Sequence, residues 1–200
     1  MNRILQRALL AVAVASLLTI AASAVASTGV FRKAATSPIA GIAAIDRPQT
    51  PVDTLDARTA SWLSNIDAMG RSPQIGDHRL GESKRLGILP NGRVLYVVPT
   101  TMNRLCVVST TDESCGDPLS EASPITLTIV DPDGLGGTGP LAYGAALDSV
   151  ASVSFTTEGK ARTVPVRHNF FAVQGKPTDT TEGLSAPIVT FANGQSQPAG

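Results

Sequence analysis

The sequence predicts a mainly β protein, namely an immunoglobulin-like β-sandwich with an N-terminal helix packed on it. Two patterns predict this fold. An apolar stripe with steps of three and four residues runs from Asp53 to Met69, as in an amphipathic helix, and after Arg93 the apolar period becomes two. The second region contains seven short apolar segments, most of them separated by Gly, Pro and Asp clusters, which is typical of sandwiches and open barrels.

The N-terminal region predicts export. Two arginines precede the apolar run "ALLAVAVASLLTI", and an A-x-A cleavage pattern ends at Ala26, which together are the three parts of a signal peptide. An uncleaved membrane anchor is the alternative for residues 1–26, because the region from Ala8 to Phe31 has no charge and about 20 apolar residues can cross a bilayer. Both alternatives place everything after Lys33 outside the cytoplasm, secreted or anchored at the outer face of the cytoplasmic membrane.

The charge of the chain argues against two classes of partner. The full chain has 16 Lys and Arg and 16 Asp and Glu, and Arg3 and Arg7 are the charged residues of region 1–26, so the remainder carries 14 basic against 16 acidic residues. No cluster of basic residues is present to bind nucleic acid or a membrane surface. The expected partner is therefore a protein or a cell-envelope component, with membrane contact only through an uncleaved N-terminal segment.

The exported part is predicted to have four regions. Residues 27–52 contain prolines and no convincing period, so they are expected to be a linker. Residues 53–90 form a helical lead-in, residues 91–192 form the β-sandwich, and residues 193–200 form a flexible tail.

The helix of the lead-in has a predicted start and stop. Asp53 is expected to cap its first turn, and Gly70 ends it. Trp62 lies on the apolar stripe, so it is expected to anchor the helix on the domain rather than to bind a ligand. A second, shorter helical piece is predicted in "LGESKRLG".

The apolar segments after Arg93 are the predicted strands. "RVLYVVP" is apolar on both faces, as a central strand is. The other six are "RLCVVS", "ITLTIV", "ASVSFTT", "ARTVPVR", "NFFAV" and "PIVTFA". Ala151–Thr156 and Ala161–Arg167 are predicted to pair as an antiparallel hairpin around "TEGK", with a positive φ at Gly159. Pro165 has no amide hydrogen, so it should face away from its partner strand, and "NFFAV" should join another sheet.

The region from Ser149 to Val173, "SVASVSFTTEGKARTVPVRHNFFAV", resembles a hairpin of exported actinobacterial proteins of unassigned function, in which V-A-S-V and V-P-V-x-x-N-x-F strands recur near the C-terminus. The earlier segment "GRVLYVVPTTMNRLCVV" is similar to a cysteine-containing strand pair of the same proteins. This resemblance implies neither an activity nor a cofactor.

Cys106 and Cys115 are predicted to form a disulfide. If Val108 opposes Glu113 across two antiparallel strands, the two cysteines face each other with β-carbons about 4.5–5.5 Å apart, and thiols outside the cytoplasm tend to oxidise. Free thiols, a redox site and a metal site are the alternatives. The pair is not C-x-x-C, however, and zinc would need further ligands.

Other chemistry-bearing residues predict no catalytic, cofactor or metal site. The two histidines, His78 and His168, are far from the cysteines in the sequence and belong to no G-x-S-x-G or H-E-x-x-H motif. "DPDGLGGTGP" begins like a calcium loop but has no closing Glu, and its glycines precede no Lys-Ser/Thr pair. A flexible loop is the favoured interpretation.

The function predicted from these observations is an exported or surface-anchored, non-catalytic binding module. An extracytoplasmic hydrolase with an unrecognised site is the alternative. Loops at one end of the sandwich are expected to contact the partner. The predicted contact residues are Thr110, Thr111, Asp112, Glu113, Asp131 and Asp133.

Overall fold

The computed structural model describes residues 41–70, 74–110, 112–130 and 139–199. Within these ranges the chain is mainly β and its paired strands run antiparallel, which confirms the predicted β class. The predicted signal peptide or anchor at residues 1–26 lies outside the described residues.

The described strands form three sheets. The strands are β1 (Lys84–Ile88), β2 (Val94–Pro99), β3 (Leu105–Val108), β4 (Glu113–Gly116), β5 (Thr128–Val130), β6 (Leu141–Ala145), β7 (Val150–Thr157), β8 (Lys160–Pro165), β9 (Phe170–Gln174), β10 (Ile188–Phe191) and β11 (Ser196–Pro198). The first sheet has the order β1-β2-β3-β4, the second β11-β10-β7-β8 and the third β5-β6-β9.

Short helices lie around these sheets. They are α1 (Ala43–Asp46), α2 (Ala57–Ala68) and α3 (Thr181–Ser185), with 3-10 turns at Pro51–Asp53 and Leu80–Glu82. Helix α2 is the predicted amphipathic helix, but it begins later than predicted. Its cap is Asp56, whose side chain accepts a hydrogen bond from the amide of Thr59 at 2.9 Å. Asp53 belongs to the preceding 3-10 turn, where it bonds the backbone of Thr50.

The first sheet is apolar on both faces, and this explains the continuous apolar run of β2. On one face, Tyr96 and Val98 pack with Leu63 and Ile66 of α2, and Trp62 packs against this group. On the other face, apolar residues of β2 and β3 join the main core, which also contains residues of the second and third sheets: Leu95, Val97, Leu105, Val107, Tyr143, Phe155 and Phe171.

The hairpin of β7 and β8 has the predicted register. Thr157 pairs with Lys160, and the two turn residues Glu158 and Gly159 both have positive φ, at 48° and 71°. Two positive φ values are the signature of the type I′ turn that suits the strand twist.

Pro165 lies where the lack of an amide hydrogen is tolerated. The amide of the next residue, Val166, donates to the carbonyl of Ala151, so the alternation of the ladder leaves Pro165 at a non-hydrogen-bonded position of the edge strand β8. Strand β9 then leaves the hairpin and pairs with β6 in the third sheet, as predicted.

Three predicted region boundaries differ from the structure. The region 27–52 contributes Ile42 and Ala44 to the main core, although this segment is too short for its apolar period to be recognised. The lead-in at 53–90 includes strand β1. The tail at 193–200 includes strand β11, which pairs with β10 because a four-residue turn folds it back.

Candidate functional site

Cys106 and Cys115 are joined by a disulfide, as predicted. They face each other in the register of β3 and β4, in which Val108 opposes Glu113. Their Cα atoms are 4.0 Å apart. The backbone amide of Ser109 donates to the carbonyl of Asp112. Hydrogen-bonded and non-hydrogen-bonded pairs alternate along an antiparallel ladder, so the cysteine pair three positions away is a non-hydrogen-bonded one. Side chains approach most closely at such pairs.

His78 lies beside this disulfide. Its distance from both cysteines in the sequence does not separate it from them in the folded chain. The ligand atoms of His78, Glu113, Cys106 and Cys115 all lie within 4.8 Å of one another. We call these four residues the His78 cluster.

The imidazole of His78 is held between two carboxylates. Its Nδ1 lies 2.7 Å from Oδ1 of Asp67, near the end of α2, and its Nε2 lies 2.9 Å from Oε1 of Glu113 on β4. The backbone amide of His78 donates to the second oxygen of Asp67 at 3.1 Å. The side chain of His78 is only 1% exposed, so it is a buried tie between α2 and the first sheet.

The backbone around His78 is positioned by the segment that follows β2. His78 forms a β-bridge with Thr100, and the amide of Asp77 donates to the hydroxyl of Thr101 at 2.9 Å. The hydroxyl of Thr100 donates to the carbonyl of Ile75. These contacts place His78, which is not part of a strand of the first sheet, on the face of that sheet that carries Cys106 and Cys115.

The protonation of His78 follows from its two partners. Burial lowers the pKa of His78, but the hydrogen bonds and charges of Glu113 and Asp67 outweigh it, and the pKa is raised above the usual 6.5. A neutral imidazole has one N–H, whereas an imidazolium donates to both carboxylates. The raised pKa therefore favours the form that satisfies both contacts.

A cleft of about 650 Å³ forms a second candidate site. It lies between the α1 segment, strand β1 and the turn that precedes β9. Its apolar lining residues include Val52, Leu86, Leu147, Val150 and Val166, and its polar ones are Arg47, Arg85, Asp148, His168 and Asn169. We call it the Arg85 cleft.

One wall of the Arg85 cleft is braced by Asp53, which is fully buried. Its carboxylate accepts hydrogen bonds from both terminal nitrogens of Arg47 and from the backbone amides of Thr50 and Arg85. Burial acts to raise the pKa of Asp53, but the hydrogen bonds from Arg47, Thr50 and Arg85 outweigh it and hold the pKa far below its usual value. The charge of Arg47 is thus balanced within the wall.

The opposite wall is a two-residue turn with an uncommon backbone. His168 and Asn169 have φ values of 53° and 63°, and Arg167 and Phe170 exchange backbone hydrogen bonds on either side of them. Positive φ at both turn positions defines the type I′ class, in which Gly, Asn and Asp are usual and most other residues are uncommon.

Asn169 holds this turn through its side chain, which is buried. Its Oδ1 accepts the amide of Ala44 at 3.0 Å, and its Nδ2 donates to the carbonyl of Ala146 at 2.9 Å and to Asp148 at 2.8 Å. Asp148 in turn accepts the amide of Ala43. This network docks α1 on the turn and occupies the carboxylate of Asp148.

Arg85 and His168 are two polar side chains of the cleft that are available to a ligand. Among the residues that the structure describes, neither the guanidinium of Arg85 nor the imidazole of His168 has a hydrogen-bond or ion-pair partner. No sequence motif marks Arg47 or Arg85, so only the folded structure reveals that both line this cleft.

Two of the predicted contact residues make contacts within the domain. Asp112 accepts hydrogen bonds from Arg93 at 3.1 Å and Ser109 at 3.2 Å, and Glu113 contacts His78, so both carboxylates have internal partners. Thr110 lies half-buried in the bend between β3 and β4. Three predicted contact residues lie outside the described residues, namely Thr111, Asp131 and Asp133.

Comparison with known proteins adds no family. No family model, curated protein or solved structure matches the chain. Among the described residues, no helix combines the length and the apolar character that crossing a membrane requires.

Proposed function

We propose that this protein is an exported or surface-anchored, non-catalytic binding module whose β domain is an immunoglobulin-like sandwich with helix α2 packed on it. The Arg85 cleft is its binding surface. The partner presents a carboxylate together with apolar side chains, as an acidic segment of another protein does. The observation that carries this proposal is the turn at His168 and Asn169, which is held in an uncommon conformation on the wall of the cleft.

The backbone of this turn argues for a role in binding. A positive φ costs most non-glycine residues about 1–2 kcal/mol, whereas asparagine tolerates it, so the cost at this turn falls mainly on His168. Asn169 holds the turn through three hydrogen bonds, two of which are buried. His168 lies on the exposed side and makes no such contact within the described part of the chain, while it lines the cleft. Backbone strain of this kind concentrates at functional sites.

The lining of the cleft supports an acidic and apolar ligand. The carboxylates of Asp53 and Asp148 are occupied by internal donors, and among the described residues Arg85 and His168 are lining side chains whose donors have no internal partner. Guanidinium and carboxylate groups form strong, charge-assisted hydrogen bonds. The apolar side chains around them, among them the 60% exposed Val52, give a partner apolar surface to bury.

Contacts within the described residues favour binding over the alternative of an extracytoplasmic hydrolase. A nucleophilic mechanism needs a hydroxyl or thiol next to its general base. Both ring nitrogens of His78 instead contact carboxylates, and both cysteines are in the disulfide. The disulfide also supports the proposed export, because disulfides persist in oxidising compartments.

Site-directed photo-crosslinking in the producing cell tests this proposal. A photoreactive residue at Val52, on the rim of the Arg85 cleft, should give a discrete crosslinked partner that mass spectrometry identifies. Arg85→Gln and His168→Gln should each reduce the crosslink several-fold. Arg58→Gln is the matched control, since Arg58 is exposed on α2 and lies outside the cleft.

Two results would contradict the proposal. One is a crosslink of equal yield in the Arg85 and His168 variants, which would place the partner elsewhere. The other is turnover in a hydrolase screen of the purified domain that disappears with His78→Ala or His168→Ala, which would replace the binding module by the hydrolase.

A further inference from the structure

The His78 cluster contains the complete donor set of a metal site. Two cysteine sulfurs, one imidazole nitrogen and one carboxylate lie within 4.8 Å of one another. Zinc in proteins is usually four-coordinate and takes cysteine, histidine and carboxylate ligands at about 2.0–2.3 Å. In the present state the sulfurs of Cys106 and Cys115 are bonded to each other, so neither is a thiolate ligand.

A second, independent observation concerns the orientation of His78. Its Nδ1 is 2.7 Å from the carboxylate of Asp67, and the other oxygen of that carboxylate accepts the backbone amide of His78. A metal-binding histidine almost always donates its remote ring N–H to such a carboxylate, which fixes the tautomer and aims the other nitrogen at the metal. Asp67 thus aims Nε2 at the centre of the cluster.

The scaffold of the cluster is largely rigid and partly accessible. Cys106 is fully buried in β3, whereas Cys115 and Glu113 are half-buried in β4 at its edge. The register of the two strands places the cysteines directly opposite each other through backbone pairing.

We propose that reduction of the Cys106–Cys115 disulfide turns the His78 cluster into a zinc site with His78, Glu113 and both cysteines as ligands and Asp67 as the positioning residue. The reductant is a dithiol. It transfers two electrons and two protons, the S–S bond breaks, two cysteine thiols form, and the dithiol becomes a disulfide. Binding of Zn²⁺ then releases one proton from each thiol and the Nε2 proton of the His78 imidazolium, so that Nε2 binds as neutral imidazole while Nδ1–H stays bonded to Asp67. Strands β3 and β4 are thus linked by a disulfide in the oxidised protein and by a bound zinc ion in the reduced protein.

Metal binding by the two redox forms of the full chain tests this proposal. Protein reduced with a phosphine, desalted without oxygen and checked for two thiols is titrated with Co²⁺, and Zn²⁺ is then added to displace it. We expect one equivalent of Co²⁺ with the charge-transfer and d–d bands of a tetrahedral thiolate site, displaced by Zn²⁺. The oxidised protein should bind none at the same concentrations. Reduced protein that keeps its circular dichroism spectrum but shows no such bands would overturn the proposal.

Variants test the ligand assignment separately. Asp67→Asn should lower the affinity for zinc about 10–100-fold while the tetrahedral bands remain. His78→Gln should change the spectrum as well as the affinity, and His168→Gln is the matched control because His168 lies outside the cluster. Glu113→Gln provides a second ligand test if His78→Gln does not fold. Wild-type affinity and an unchanged spectrum in a folded His78 or Glu113 variant would refute the assigned ligand set.

Discussion

Replacing Asp53 by asparagine tests how the wall of the Arg85 cleft is held. Asp53 is fully buried and its carboxylate accepts a bidentate pair of bonds from Arg47. The same carboxylate accepts the amides of Thr50 and Arg85. Asparagine has nearly the same shape, but one of its terminal atoms is a donor that faces these donors, and the charge of Arg47 loses its partner.

The expected loss is large. Removing one partner of a buried ion pair destabilises a protein by about 3–5 kcal/mol. Arg47 itself is 38% exposed, so water recovers part of its solvation and the lower end of this range applies. A domain of about 150–250 residues loses about 2–4 °C of Tm per kcal/mol, so about 3 kcal/mol corresponds to a decrease of about 6–12 °C.

Calorimetry and urea unfolding of Asp53→Asn measure this loss, with Asp46→Asn as the control because Asp46 is exposed in α1. The wild type should also lose stability as the pH falls. The carboxyl of Asp53 has a lowered pKa in the folded state, so its contribution is present above the pKa of the unfolded chain and disappears as the pH falls towards the folded value. A Tm within about 2 °C of the control, or an acid dependence that Asp53→Asn leaves unchanged, would refute the reasoning.

Three further changes are expected to alter the free energy of unfolding. The pKa of His78 is raised in the folded state, so its contribution to stability is complete below about pH 6.5, the pKa of the unfolded chain, and is lost as the pH rises through the pKa of the folded state. His78→Gln should remove this pH dependence, as measured by urea unfolding across that pH range. Replacing Cys106 and Cys115 by alanine should cost about 2.5–3 kcal/mol in the chain-entropy description of a short loop, and an unchanged urea midpoint would contradict it. Gly159→Ala should cost about 1 kcal/mol because Gly159 has φ +71°, while Gly81→Ala, equally open but without positive φ, should cost less; equal losses would argue against backbone strain as the cause.

The sequence predicted those features of the fold that depend on residues within one hairpin. The alternation of side chains placed Cys106 opposite Cys115, and the Glu158–Gly159 turn joined two strands in the predicted register. The lack of an amide hydrogen placed Pro165 on an edge strand. Each of these predictions depends on neighbours within a single hairpin, whose register its turn and pleat determine.

The two candidate sites depend on contacts between residues far apart in the sequence, which the spacing of apolar residues does not predict. His78 reaches the cysteines because a segment outside the first sheet forms a bridge with Thr100. The Arg85 cleft exists because the short helix α1 docks on Asn169, which is 125 residues away from Ala44. Such contacts follow from the assembled tertiary structure, so neither the sequence motifs nor the spacing of the histidines predicted them.

The bond between Ala44 and Asn169 has a consequence for the order in which the chain folds. A chain that emerges with its N-terminus first, from a ribosome or through a translocation channel, releases Ile42 and Ala44 long before Asn169 appears. Until then, these apolar residues have no core to enter, since the main core consists largely of residues that follow them. Contacts between distant parts of a chain form slowly because closing long loops costs entropy. The α1 segment is therefore expected to dock late, after the turn that carries Asn169 has formed.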